Sequence, residues 1–124
     1  MNQVLAIATG GAVGAVLRYW MSTGVYALAG RDFPWGTLAV NVLGSLVMGF
    51  LFILLVDRMA SGPGVRAFLL IGLLGAFTTF STFSVETLSL VENGDLWKAV
   101  LNAIVSVLLC VAAAALGMLA GRAL

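Results

Sequence analysis

Chemistry in this chain has few residues to draw on. Histidine is absent and Cys110 is the single cysteine, so no disulfide framework, zinc-ligand cluster or Cys/His nucleophile pair can be assembled, and enzyme activity is not expected. What remains is a set of polar residues inside long apolar runs: Arg18, Asn41, a hydroxyl-rich stretch from Thr78 to Ser84, Glu86, and Asn102 with Ser106. Hydroxyls and amides donate hydrogen bonds, and the rings of Phe80 and Phe83, three residues apart among them, carry a positive edge. Such a surface can replace water around a small anion without a fixed charge that would hold the ion too tightly to release it.

The densest polar run reads Gly72-Leu73-Leu74-Gly75-Ala76-Phe77-Thr78-Thr79-Phe80-Ser81-Thr82-Phe83-Ser84. Two helix-weakening glycines followed by clustered hydroxyls in an apolar span point to an interrupted helix, with the break around Gly75 to Thr79. At a break the first half-helix offers carbonyl oxygens that suit a cation, and the second offers amides and a positive dipole end that suit an anion. Beyond it Phe80 and Phe83 share one face, and Ser81, Thr82, Ser84 and Glu86 form neighbouring polar rows. The alternative is that these hydroxyls only pack helices together, with the phenylalanines facing lipid.

Arg18 lies about 21 Å into a helix that begins at Val4, deep enough to act inside the membrane and bond a freed carbonyl or Glu86; otherwise it snorkels to the interface. Asn41 opens a row with Gly44, Ser45, Met48 and Gly49, a polar donor beside a small-residue groove, and could equally be a helix-packing asparagine. Gly10, Gly11 and Gly14 read as a smooth packing face. Asn102, Ser106 and Cys110 recur at i, i+4 and i+8, one polar stripe that faces a partner helix or a pore wall.

The elements that carry these residues are membrane spans. Of 124 residues 62% are hydrophobic and 9% charged, against about a half and a quarter in soluble domains. The net charge of +1 offers no basic surface for a nucleic acid. A bilayer core takes about 20 apolar residues as helix, and residues 1–124 divide as one domain into four such stretches: Val4 to Ala29, Trp35 to Val56, Val65 to Val91 and Leu96 to Leu119. Their dividers are Gly30-Arg31-Asp32-Phe33-Pro34, Asp57-Arg58 with Ser61-Gly62-Pro63-Gly64, and Glu92-Asn93-Gly94-Asp95. Met1-Asn2-Gln3 lacks the basic start of a secretory signal, so the first span reads as retained.

Four spans place the termini and the second loop on one side, with Arg58, Arg66 and Arg122, against Arg31 and Lys98 on the other. Lys/Arg bias sets orientation; this near tie predicts insertion both ways up. Four helices barely enclose a pathway, so an oligomer is expected, and a dimer of opposed copies fits the tie.

The run Gly72 to Glu86 resembles the signature of the CrcB/Fluc fluoride channel family. Gly10-Gly11-Ala12-Val13-Gly14 with Leu17-Arg18-Tyr19-Trp20, then Gly36-Thr37-Leu38, then Val40-Asn41-Val42-Leu43-Gly44 match in order, so the resemblance covers essentially the whole chain. It implies an all-α integral membrane protein, four transmembrane helices with a broken third, assembled as an antiparallel dual-topology homodimer in a prokaryotic plasma membrane. It further implies passive export of cytoplasmic fluoride and a structural Na+ at the dimer interface, held by the carbonyls of Gly75 and Thr78. By position, Asn41 would donate to the ion, Phe80 and Phe83 would line the path, Thr37, Ser81, Thr82 and Glu86 would form a polar track, and Asn102 and Ser106 would add side chains from the fourth helix. A proton-coupled exporter of the small multidrug resistance type is equally short, but that class carries a carboxylate in helix one, where this chain has Arg18 and no acid.

Overall fold

The computed structural model describes residues 2–58 and 61–124; Met1, Met59 and Ala60 lie outside the described residues. Helix α1 (Gln3–Ala29) starts where Asn2 accepts the Val4 amide on its side-chain oxygen at 2.7 Å, a capping contact that satisfies one orphan donor. It ends at Gly30, whose φ of 85° suits a residue without a Cβ. Helix α2 (Trp35–Phe52) runs on as a wider π-helical coil, Ile53–Arg58. That coil carries Asp57 and Arg58 past the end expected at Val56, because Arg58 Nη1 donates to the carbonyls of Gly121 and Arg122 at 3.0 and 3.1 Å.

Helix α3 (residues 63–77) begins with Pro63 in its first turn, a position where the missing amide costs nothing. It widens to π-helical geometry over Ala67–Leu73 and tightens again over Leu74–Phe77. Helix α4 (Phe80–Glu92) follows after two extended residues, and α5 (Leu96–Ala123) closes the chain. The stretches Gln3–Ala29, Trp35–Arg58, Pro63–Glu92 and Leu96–Ala123 are each long and apolar enough to cross a bilayer, and no strand occurs among the described residues.

Two close helix pairs build the bundle. Gly10 and Gly14 of α1 lie against the backbone carbonyls of Phe68 and Leu73, and a Cβ at either position would overlap them. On the opposite pair, Gly49 of α2 meets the Ala114 carbonyl and Gly117 of α5 meets the Leu46 carbonyl. Small residues let backbones approach where lipid gives no hydrophobic drive to association. The core is thin, made of Ala6, Val40, Ile53, Ala67, Leu74 and Ala99, while Leu28, Ile71, Val111 and Leu116 face outward. In water that exterior would be an aggregation hazard; against acyl chains it is the fitting surface.

Candidate functional site

The site begins with the backbone between α3 and α4. Thr78 (φ −86°, ψ 158°) and Thr79 (φ −152°, ψ 122°) are extended. A continuous helix would pair the carbonyls of Gly75, Ala76 and Thr78 with the amides of Thr79, Phe80 and Thr82. Here the Thr79 amide donates to Asn41 Oδ1 at 2.8 Å and the Thr82 amide to Thr79 Oγ1 at 3.2 Å. Asn41 Nδ2 donates to the Thr79 carbonyl at 3.0 Å, and Arg18 Nε to the Ala76 carbonyl at 3.0 Å. One side chain from α2 and one from α1 thus stand in for the missing helical partners. The carbonyls of Gly75 and Thr78 are left outside the ladder, and Gly75 is exposed. Gly44 lets α2 come this close, because a Cβ there would run into the Thr78 methyl.

Beside the break lies a cavity of about 460 Å³, walled by Asn41, Ser45 and Met48 of α2, by Thr78 and Thr79, by Phe80 and Phe83 of α4, and by Ser106 and Cys110 of α5. The two rings sit 5.4 Å apart at 38°. Phe80 is 77% exposed, so the cavity is open on its flank. No lysine or arginine lines it. Of the residues named from sequence, this cavity gathers Asn41, Phe80, Phe83 and Ser106, together with the Thr78 of the carbonyl pair.

Thr37, Glu86, Ser81, Thr82 and Asn102 do not line it. Thr37 and Glu86 meet elsewhere, through Tyr26 of α1, whose hydroxyl donates to Glu86 Oε2 at 2.7 Å and lies 3.4 Å from Thr37 Oγ1. Glu86 Oε1 is buried and unpartnered among the described residues. A second cavity, of about 180 Å³, is bounded by Tyr26, Arg31, Glu86, Ser89 and Asn93. Ser81 is exposed, its hydroxyl 3.4 Å from that of Thr79, and Thr82 is half-buried. Asn102, only 1% exposed, donates to Thr87 Oγ1 at 2.9 Å and accepts from Ser106 Oγ at 3.2 Å. Thr87 in turn donates to the Phe83 carbonyl at 2.7 Å, which ties the wall of the first cavity to the helix behind it.

Tyr26 and Thr87 are the residues that sequence reasoning missed; the sequence marks Thr79 as the end of the break but not as the partner of Asn41. A tyrosine inside a span needs a partner for its hydroxyl, and that was the available signal for Tyr26. Thr87 sits among other hydroxyls with nothing in its neighbours to mark it.

An all-helical chain with four bilayer-length apolar stretches, and with a polar break opening onto a cavity at its flank, defines a multi-pass membrane protein. The family model described as "CrcB-like protein, Camphor Resistance (CrcB)" matches residues 5–118, and the chain belongs to the CrcB family. It is 55% identical over 120 residues to a Magnetococcus marinus protein named "Fluoride-specific ion channel FluC", covering 97% of this chain and 98% of that one. The Geobacter sulfurreducens protein of the same name is 50% identical over 124 residues, all of both chains. A Methylococcus capsulatus protein, again so named, is 54% identical over 121 residues; 98% of this chain matches, but only 53% of that relative's length.

Proposed function

We propose that the chain forms a fluoride-conducting channel in a bacterial plasma membrane, letting the ion leave the cytoplasm down its electrochemical gradient. The observation that carries this reading is the 460 Å³ cavity, which the Asn41 amide, the hydroxyls of Ser45, Thr78, Thr79 and Ser106 and the rings of Phe80 and Phe83 line with no charged residue. It is supported by relatives at 50 to 55% identity that bear the name of a fluoride channel. Asn41 uses one amide hydrogen on Thr79 and keeps a second to offer. Phe80 and Phe83 add their positive edges. Ser106 spends its hydrogen on Asn102 and serves the path by shaping it.

The open flank at Phe80 and the exposed Gly75 support pairing with a second copy, and the near tie of Lys/Arg between the two sides supports an antiparallel dual-topology homodimer. Reporters on the C-terminus that reveal a single orientation would remove that part. Gly75 and Thr78 suit a Na+ ion, because their carbonyls are outside the helical ladder and hard cations prefer oxygen ligands. Contributed by both copies, they would hold Na+ on the axis, and the ion would neutralise carbonyl dipoles pointing at one another.

The deciding experiment is fluoride efflux from proteoliposomes after valinomycin, read with a fluoride electrode, with chloride-loaded vesicles alongside. Rapid fluoride release without chloride release is expected. Well-folded protein that releases no fluoride overturns the reading.

A further inference from the structure

Tyr26 holds Glu86 almost alone. Its hydroxyl, donating to Oε2 at 2.7 Å, is the carboxyl's one protein partner among the described residues, since Oε1 is buried with none. The same hydroxyl approaches Thr37 Oγ1 at 3.4 Å, so one side chain of α1 touches both α2 and α4. The ring gets there because Gly36 has no side chain; a Cβ would overlap it. The Arg31 guanidinium lies over the ring, 4.5 Å from its centroid.

Resting on the fluoride-channel reading, we infer that Tyr26 is a positioning residue for conduction, whose hydroxyl keeps the Glu86 carboxyl beside Thr37. A carboxyl in an apolar span with one oxygen already unpartnered must, on losing its remaining partner, take up a proton or turn toward another donor. The 180 Å³ cavity beside it also borders Arg31, Ser89 and Asn93, which gives a released Glu86 both room to move and a guanidinium to move toward. Without the hydroxyl the carboxyl swings into that cavity and Thr37 loses its neighbour.

The test uses the full-length protein in proteoliposomes. Tyr26→Phe keeps the ring and its packing on Gly36 while deleting the hydroxyl. Fluoride efflux should fall about tenfold, the scale of one strong hydrogen bond. The infrared band of the Glu86 carboxyl, assigned by its disappearance in Glu86→Gln, should shift in Tyr26→Phe. A side chain that only packs would leave that band in place. Gly36→Ala, which displaces the ring with the hydroxyl present but also presses on the Ser22 carbonyl, should reproduce both effects. Efflux within roughly twofold of the unaltered protein, or an unmoved band, overturns the inference. If the unaltered protein itself releases no fluoride, the channel reading fails, while the infrared shift still reports on the Tyr26 to Glu86 bond.

Discussion

Replacing Asn41 with alanine removes both hydrogen bonds that the Thr79 backbone receives from α2, at 2.8 and 3.0 Å. Each backbone group stranded away from water costs about 1–3 kcal/mol, which gives an upper range of about 2–6 kcal/mol for the pair. Hydrogen bonds measured between membrane helices are smaller, averaging about 0.6 kcal/mol with a maximum of about 1.7, because the unfolded reference finds partners too. The Thr79 groups have no helical alternative in the extended geometry of the break, so the upper part of that second scale applies to each. The expected loss is about 3 kcal/mol, or roughly 150-fold in the unfolding equilibrium. Reversible unfolding in mixed detergent micelles, followed by circular dichroism at fixed protein concentration, measures it. Leu43→Ala, on the same helix but facing outward, controls for general loss of packing. If Asn41→Ala unfolds within about 0.5 kcal/mol of the unaltered protein, the range of an ordinary surface substitution, the break holds itself open without the amide and the partner accounting above is wrong.

Two further outcomes follow from the same geometry. Phe80→Ile and Phe83→Ile should each lower fluoride efflux about tenfold or more while leaving assembly unchanged in size-exclusion chromatography, because the proposed pathway uses ring edges rather than bulk; unchanged efflux in both retires that role. Gly14→Ala should lower the melting temperature by several degrees, about 1–3 kcal/mol of overpacking against the Leu73 carbonyl, whereas Gly24→Ala, in the same helix with open space around it, should be neutral or gain up to about 1 kcal/mol. Equal melting temperatures for the two would show that α1 and α3 are not held at backbone contact.

The spans were legible because a bilayer demands a length that few other environments demand, and charged or Pro/Gly-rich residues mark where each length ends. The helix interruption was legible in its neighbourhood but not in its cause. Gly72 and Gly75, read as weak points, remain helical; Gly72 serves close approach, lying against the Ile7 carbonyl and the Gly11 amide of α1. The extended pair falls later, at Thr78 and Thr79, where Asn41, 38 residues distant, supplies the competing partner. A tertiary partner of that kind leaves no local trace. The stripe Asn102, Ser106, Cys110 shows a second limit. Positions four apart drift by about 40° at each step around a helix of 3.6 residues per turn, so the lower two line the cavity while Asn102 turns to Thr87. Asn41, Gly44, Ser45 and Met48 do share the cavity wall, but Gly49, one residue on, packs against Ala114 instead.

The polar groups at the break are nearly all committed to one another, and that shapes what the site can do. Arg18 is bound to a carbonyl, Asn41 to a backbone amide and carbonyl, and Thr79 to the first turn of α4. A group already satisfied holds a passing ion weakly, which is the condition for rapid release. Among the described residues, the groups without a protein partner at the break include the Gly75 and Thr78 carbonyls, the second amide hydrogen of Asn41 and the remaining guanidinium hydrogens of Arg18, which uses only Nε. Unsatisfied backbone in lipid costs several kcal/mol per group, so carbonyls outside the ladder need a cavity, water or a ligand to meet them, and Thr78 borders the cavity. A cation held between two copies would answer that need for carbonyls that converge, and a donor hydrogen on Asn41 would answer the complementary need of an anion. The acceptor at Thr78 and the spare donor on Asn41 thus come from two different helices that meet at the break, which is why the proposed pathway depends on α2 as much as on the interrupted helix.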